Sequence, residues 1–194
     1  STLLLQIAQD MATAGRSVLY VSGEESPHQI KLRSQRLGFA GKGIFLLSET
    51  DVDVVVDRLE EHRPGLAIID SVQTLYSRDT PSGPGSVAQI REAGLRLMRW
   101  SKARQTPVFL AGHVTKDGSV AGPKVLEHMV DVVTYLESQE YGAFRLLRCA
   151  KNRFGSTAEV GVFEMSGAGL VEVVDPSKTL LAQRYDQAVG SALV

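Results

Sequence analysis

Leu66-Ala67-Ile68-Ile69-Asp70 is the stretch that decides the fold. Four apolar residues in a row, bounded by Gly65 and closed by a carboxylate, read as a strand buried on both faces, because a strand with one wet face alternates polar and apolar positions. Working outward, Val18 to Ser22, Ile44 to Leu47 and Val108 to Ala111 are strands of the same kind. Between them lie helical patterns. One runs from Ser1-Thr2 to Gly15, and one from the Ser26-Pro27 start to Gly38. A long one from Ser86 to Gln105 carries Val87, Ile90, Leu95, Met98 and Trp100. Asp51 to His62 has acids in its first turn and Pro64 past its end and reads as helix, with strand as the rival because of Val52, Val54, Val55 and Val56. Ser71 to Gly85 and Gly112 to Pro123 read as loops. The rhythm then changes to consecutive strands at Val130 to Glu137, Ala143 to Cys149, Val160 to Met165 and Leu170 to Val174. The expected class is therefore α/β, a mostly parallel central sheet with helices on both faces, extended by antiparallel strands toward the C-terminus.

Composition narrows the function classes. The 194 residues are 43% hydrophobic, enough for a sizeable core, and no apolar run approaches the ~20 residues of a membrane span. A single cysteine, Cys149, closes no internal disulfide and builds no zinc cage, so a reducing, cytoplasmic setting is expected. Lys+Arg 21 against Asp+Glu 22 gives a net charge of −1, which taken alone argues against a nucleic-acid binder. Position alters that. Six acids lie between Glu49 and Glu61, whereas Arg91, Arg96, Arg99, Lys102, Arg104, Lys116 and Lys124 face only Glu92 and Asp117, and Arg145, Arg148, Lys151 and Arg153 have no acid among them. Such sorting can build a positive face, but charge runs alone more often mark a set of solvated helix surfaces. Because a helical pattern opens at the first residue, the chain reads as a fragment, with 176–194 as a linker or the start of another domain.

Open α/β sheets bind ligands beyond the carboxyl ends of their parallel strands. Three such ends carry suitable groups: Glu24, Asp70 and His113. Asp70 ends a strand of Walker B form, whose aspartate holds Mg²⁺ directly or through water. Glu24 can orient and deprotonate a water attacking a γ-phosphate, or it is one of two acids favouring a helix N-terminus. His113 is a phosphate donor or an ordinary buried histidine. Ser1-Thr2 before a leucine-rich helix matches the end of G-x-x-x-x-G-K-[ST]. In Lys151-Asn152-Arg153-Phe154-Gly155, cations at i and i+2 of an extended segment point one way, as a phosphate clamp, an arginine finger in trans or a basic hairpin tip.

Together these strings resemble the ATPase core of the bacterial RadA/Sms DNA-repair family, RecA-like P-loop ATPases. The resemblance is carried by Ser1-Thr2-Leu3-Leu4-Leu5-Gln6, Tyr20-Val21-Ser22-Gly23-Glu24-Glu25-Ser26, Ile68-Ile69-Asp70-Ser71-Val72-Gln73-Thr74, Gly112-His113-Val114-Thr115-Lys116-Asp117-Gly118 and Lys151-Asn152-Arg153-Phe154-Gly155. It implies a RecA-like ATPase domain over 1–175 whose P-loop glycines and lysine precede Ser1, with a Lon-protease-like domain at most begun after 176. It also implies ATP and Mg²⁺ as cofactors. Ser1 and Asp70 would then be the Mg²⁺ ligands and Thr2 a phosphate neighbour, with Glu24 the water-activating carboxylate (Glu25 its rival by one position) and His113 the γ-phosphate sensor. Lys151 and Arg153 would reach a neighbouring subunit's ATP, and Gln29 and Arg33 have the spacing of a nucleotide contact. The loops Ser77 to Gly85 and Val114 to Pro123 would contact DNA, with Arg78, Lys116 and Lys124 as its cations. By the same resemblance the partners are single-stranded or branched DNA, further copies in a hexameric ring and the RecA recombinase, with no membrane. The activity would be helicase-like branch migration in recombinational repair. Two alternatives stand beside it: a ring-forming ATPase or kinase of the clock-protein type that does not translocate DNA, and an oligomerisation scaffold without turnover.

Overall fold

The computed structural model describes residues 1–113, 122–138 and 144–175, and divides into two compact units, Ser1–Val132 and Val133–Val194. The first unit runs α1 (Thr2–Thr13), β1 (Val18–Ser22), α2 (Pro27–Arg36), β2 (Ile44–Ser48), α3 (Val52–His62), β3 (Leu66–Asp70), a 3-10 turn (Val72–Thr74), α4 (Val87–Arg104), β4 (Val108–Leu110) and α5 (Gly122–Glu127). Its strands are all parallel, in the order β2-β1-β3-β4.

The sequence of β1 and β3 explains the two-sided packing. Successive side chains of a strand point to opposite faces. Leu19 and Val21 of β1 and Ala67 and Ile69 of β3 therefore meet Val52, Val55 and Leu59 of α3 and Ala93, Leu97 and Trp100 of α4. On the other face, Val18, Tyr20, Leu66 and Ile68 meet Leu5 and Ala8 of α1 and Ile30 of α2. Every residue of β1 and β3 is buried, and each large aliphatic side chain there is worth about 1.5–3 kcal/mol against exposure. Asp51 caps α3, accepting from the Asp53 amide at 3.0 Å, so the helix prevails over the strand alternative. The valines support this choice, because only Val52 and Val55 turn fully inward at a helical spacing.

Two features depart from the expectations. Between Ser71 and Gly85 the chain first makes the 3-10 turn and then folds onto α4, and α5 begins at Gly122, inside the loop expected to run to Pro123, in a stretch for which no helix is expected from the sequence. A six-residue helix shows no periodicity in the sequence; its Leu126 is buried against Val72 and Ile90. Gly94 of α4 leaves room for that approach: an added Cβ would stand 2.5 Å from Leu126 Cδ2, and the leucine tip would have to shift. Acidic and basic stretches also neutralise each other across α3 and α4. Arg96 pairs with Asp53, with Asp79 at 2.7 Å and with Glu92 at 2.8 Å, and Arg104 binds Glu60, its Nε 2.8 Å from Glu60 Oε2.

Among the described residues the second unit holds a four-stranded sheet in the order β5-β6-β7-β8, formed by β5 (Val132–Ser138), β6 (Phe144–Asn152), β7 (Val160–Ser166) and β8 (Gly169–Glu172), with β6, β7 and β8 antiparallel. The antiparallel strands expected toward the C-terminus are thus present and hydrogen-bond among themselves as a separate sheet. Among the described residues no helix is long and apolar enough to cross a membrane.

Candidate functional site

The order β2-β1-β3-β4 reverses direction between β1 and β3: the chain leaves β1 toward β2 on one side and returns through β3 to β4 on the other. In an open parallel sheet the crevice above such a reversal is the ligand site. Ser22 and Asp70 are register partners there, the last residues of β1 and β3. Beyond β4, the Ala111 amide donates to the Ile69 carbonyl at 2.8 Å and the Ala111 carbonyl accepts from the Val72 amide at 2.9 Å, which carries the segment toward His113 along β3.

Asp70 is 6% exposed and accepts the Tyr20 hydroxyl on Oδ2 at 2.6 Å. Burial, and then this bond to Asp70, push the Tyr20 phenol above its usual pKa, so it stays a neutral donor. The next peptide, Asp70-Ser71, is cis. The Ser71 hydroxyl donates to Glu24 Oε1 at 2.5 Å, and His113 Nε2 lies 3.4 Å from the same oxygen. Gln73 Nε2 donates to the His113 carbonyl at 3.0 Å, tying the end of the β4 segment to the 3-10 turn. Glu24 reaches this position because the preceding residue is glycine: a Cβ on Gly23 would stand 2.0 Å from Thr74 Oγ1.

Glu24 and His113 are therefore brought together with Ser71, the residue that follows Asp70 at the end of β3. Glu25 is not in this group, because both its oxygens are held by Arg33, Oε2 at 2.6 Å from Nη1. That pairing, followed by the bond's electrostatic attraction, raises the Arg33 pKa. Gln29 is engaged at the start of α2, accepting from the Ser26 amide at 2.9 Å. Gln29 and Arg33 line a shallow pocket with Glu25, Leu32 and Arg36. Ser1 is the N-cap residue of α1 without a side-chain capping bond, and Thr2 is the helix's first residue.

The remaining expected residues lie elsewhere. Arg78 is docked on buried Asp51, Nε to Oδ2 at 2.8 Å, which together with Tyr76 raises its pKa. Lys124 is exposed on α5, and Lys116 lies outside the described residues, as does most of the loop from Val114 to Pro123. In the second unit Lys151 is half-buried in β6, but β6 ends at Asn152, so Arg153 does not share its extended segment. The strand stops because Asn152 Oδ1 accepts the Phe154 amide at 2.9 Å and its Nδ2 donates to the Ser156 carbonyl at 3.3 Å, local bonds that compete with a ladder.

Sequence reasoning passed over Tyr20, Ser71 and Gln73 as members of the site. Tyr20 is a polar-tipped aromatic in the middle of an apolar strand, a signal readable as a donor seeking a buried partner. Ser71 and Gln73 carry no such signal, since a polar residue in a loop-like stretch is ordinary and their partners lie 47 and 40 positions away.

The AAA domain family model matches residues 1–119. Over 193 residues the sequence is 48% identical to the DNA repair protein RadA of Bacillus subtilis (strain 168), covering 100% of this chain and 42% of that protein. Over 194 residues it is 50% identical to the DNA repair protein RadA of Streptococcus pyogenes serotype M1, covering 100% of this chain and 43% of that protein. It thus spans less than half the length of these relatives. Among solved structures, a DnaB-like replicative helicase aligns with a TM-score of 0.70 at 14% identity, covering 88% of this chain and 55% of that one, a likeness of fold.

Proposed function

The chain belongs to the AAA domain family and is homologous along its whole length to bacterial RadA proteins, and on that premise we propose that it is the ATP-hydrolysing core of a DNA repair motor. The observation that carries this reading is the convergence of Ser71, the residue after Asp70, and His113 on one oxygen of Glu24. With Oε1 held, Oε2 is the oxygen that would accept a proton from water; Glu25, clamped by Arg33, is poorly placed to do so.

Asp70 suits Mg²⁺, since a buried carboxylate at a strand end is a hard oxygen donor. Among the described residues no three His, Cys, Asp or Glu cluster as a metal cage. Mg²⁺ at Asp70 would therefore draw further oxygens from Ser1, phosphate and water, the usual habit of this ion. Bound Mg²⁺ with ATP would supply the charge neutralisation that phosphoryl transfer needs. Thr2 would lie beside the phosphates. His113, its backbone fixed by Gln73, would donate to the γ-phosphate, and Lys151 and Arg153 would act on the site of a neighbouring copy.

In this reading residues 1–175 form one ATPase domain of a cytoplasmic protein that works as a ring, hexameric by the family resemblance. Single-stranded or branched DNA would be contacted through Arg78, Lys116 and Lys124, and branch migration would proceed alongside RecA recombinase. In a chain carrying the P-loop lysine ahead of Ser1, Glu24→Gln should lower ATP turnover at least ~100-fold, roughly 3 kcal/mol of barrier, with ATP still bound. Turnover at the wild-type rate would instead favour a non-hydrolysing scaffold, and turnover indifferent to every DNA form would favour the clock-protein type.

A further inference from the structure

Gln89 stands in the first turn of α4 and is 2% exposed. Its side chain does not serve its own helix. The Ser86 amide, which a glutamine at this position would ordinarily bond, donates instead to the Gly83 carbonyl at 3.2 Å. Gln89 turns back into the preceding loop. Its Oε1 accepts the Ser77 amide at 2.7 Å, and its Nε2 meets the carbonyls of Ser77 at 3.1 Å, Thr80 at 3.0 Å and Ser82 at 2.8 Å. Four backbone groups across six residues thus converge on one buried amide. No apolar side chain of the same size could satisfy them, and a buried amide or carbonyl without a partner is costly. Ser77, itself 1% exposed, anchors the segment from which Arg78 projects, and Arg78 is 75% exposed beyond its contact with Asp51. The loop's second anchor is Asp79 on Arg96 of the same helix, at 2.7 Å.

From this geometry we infer that Gln89 is the positioning residue of the loop 77–85: it fixes the loop's backbone and so sets where Arg78 meets a DNA phosphate. The inference rests on the reading of that loop as a DNA contact. Phosphate contacts depend on where the cation is held, and a loop free to explore many conformations must be ordered on binding, which weakens it.

The test uses the full-length protein with a phosphate-rich probe, single-stranded oligothymidylate, and reads DNA-stimulated ATP turnover. Gln89→Met should raise the DNA concentration for half-maximal stimulation about tenfold while the rate at saturating DNA holds within twofold. In Arg78→Ala the half-saturating concentration should rise as well. The double variant should lose no more than Arg78→Ala alone, since with the cation gone nothing is left to position. Additive losses, or a fall in the saturated rate with half-saturation unmoved, would overturn the inference. An unchanged half-saturation in Arg78→Ala would remove the DNA reading of the loop, and the inference with it; a change there but none in Gln89→Met would overturn the inference alone. Should Gln89→Met fail to fold, hydrogen exchange on the unaltered protein without DNA decides. The Ser77 and Thr80 amides should be protected at least 100-fold, and exchange at the rate of an open chain would overturn the inference.

Discussion

At the start of α2, Ser26 and Gln29 cap each other: the Gln29 amide donates to Ser26 Oγ at 3.3 Å and Gln29 Oε1 accepts the Ser26 amide at 2.9 Å. At the start of α4 the same Ser-x-x-Gln pattern, Ser86 to Gln89, gives only the first half. The Gln89 amide donates to Ser86 Oγ at 3.4 Å, while the side chain leaves to bind the loop. The difference lies in what precedes each helix. Ahead of α2 the chain comes straight off β1 through Gly23-Glu24-Glu25, with no loop to be held. Ahead of α4 a polar loop folds over the helix start, its carbonyls turned toward Gln89, and Gly83 takes over the Ser86 amide. One capping signature therefore makes a self-contained helix end beside the proposed nucleotide site and a tertiary knot beside the proposed DNA loop.

The comparison breaks hardest at the glycines ahead of each helix. Gly23→Ala should destabilise by about 3 kcal/mol or more, because its Cβ would overlap Thr74, 2.0 Å from Oγ1 and 2.5 Å from Cβ. Gly85→Ala should cost only about 1–2 kcal/mol, since its φ of +78° is strained for alanine but the nearest atom is 3.7 Å away. Urea midpoints separate the two, and equal losses would show that the β1–α2 turn can relax. Next come the glutamines. Gln89→Leu should lose about 2–3 kcal/mol through its stranded backbone partners, whereas Gln29→Leu, exposed and capping only, should lose about 0.5–1 kcal/mol.

A smaller effect sharpens the nucleotide side. Because the folded state holds the Tyr20 phenol above its usual pKa of 10.0, its contribution is intact below pH ~10. Above that the unfolded chain ionises first, so stability should fall by about 1.4 kcal/mol per pH unit from this group. Tyr20→Phe should flatten the wild-type decline between pH 10 and 11 in urea titrations; parallel declines would contradict it. The smallest effect is on the loop side. Arg78→Ala should reduce the log–log salt slope of single-stranded DNA binding by about 0.7, one phosphate's worth, and an unchanged slope would remove Arg78 from the interface.

Much of the first unit could be read in advance because its elements are locally coded. The apolar runs of β1 and β3, Ser26-Pro27 at α2, Asp51 at α3 and Ser86 at α4 each act on residues within a few positions. α5 could not, since six residues carry no period and Leu126 is buried against Val72 and Ile90, which lie far from it in the chain. Whether residues 91–124 form a positive face or solvated helix surfaces could not be judged from position either, because Asp53 and Glu60 on the neighbouring helix meet Arg96 and Arg104.

The sequence by itself determined the alternation of strands and helices, the carboxylate at the end of β3 and the glutamates after β1, because hydrophobic periodicity and capping are short-range properties of the chain. Tertiary structure alone decided how the two glutamates are held. Arg33, eight positions from Glu25, binds that residue, and Ser71, 47 positions from Glu24, binds the other. It also decided that Gln89 binds a loop where Gln29 caps a helix. The physical reason is common to both cases. A polar side chain takes the partner that burial leaves unsatisfied, and burial is set by strands and helices that meet only when the whole sheet is assembled.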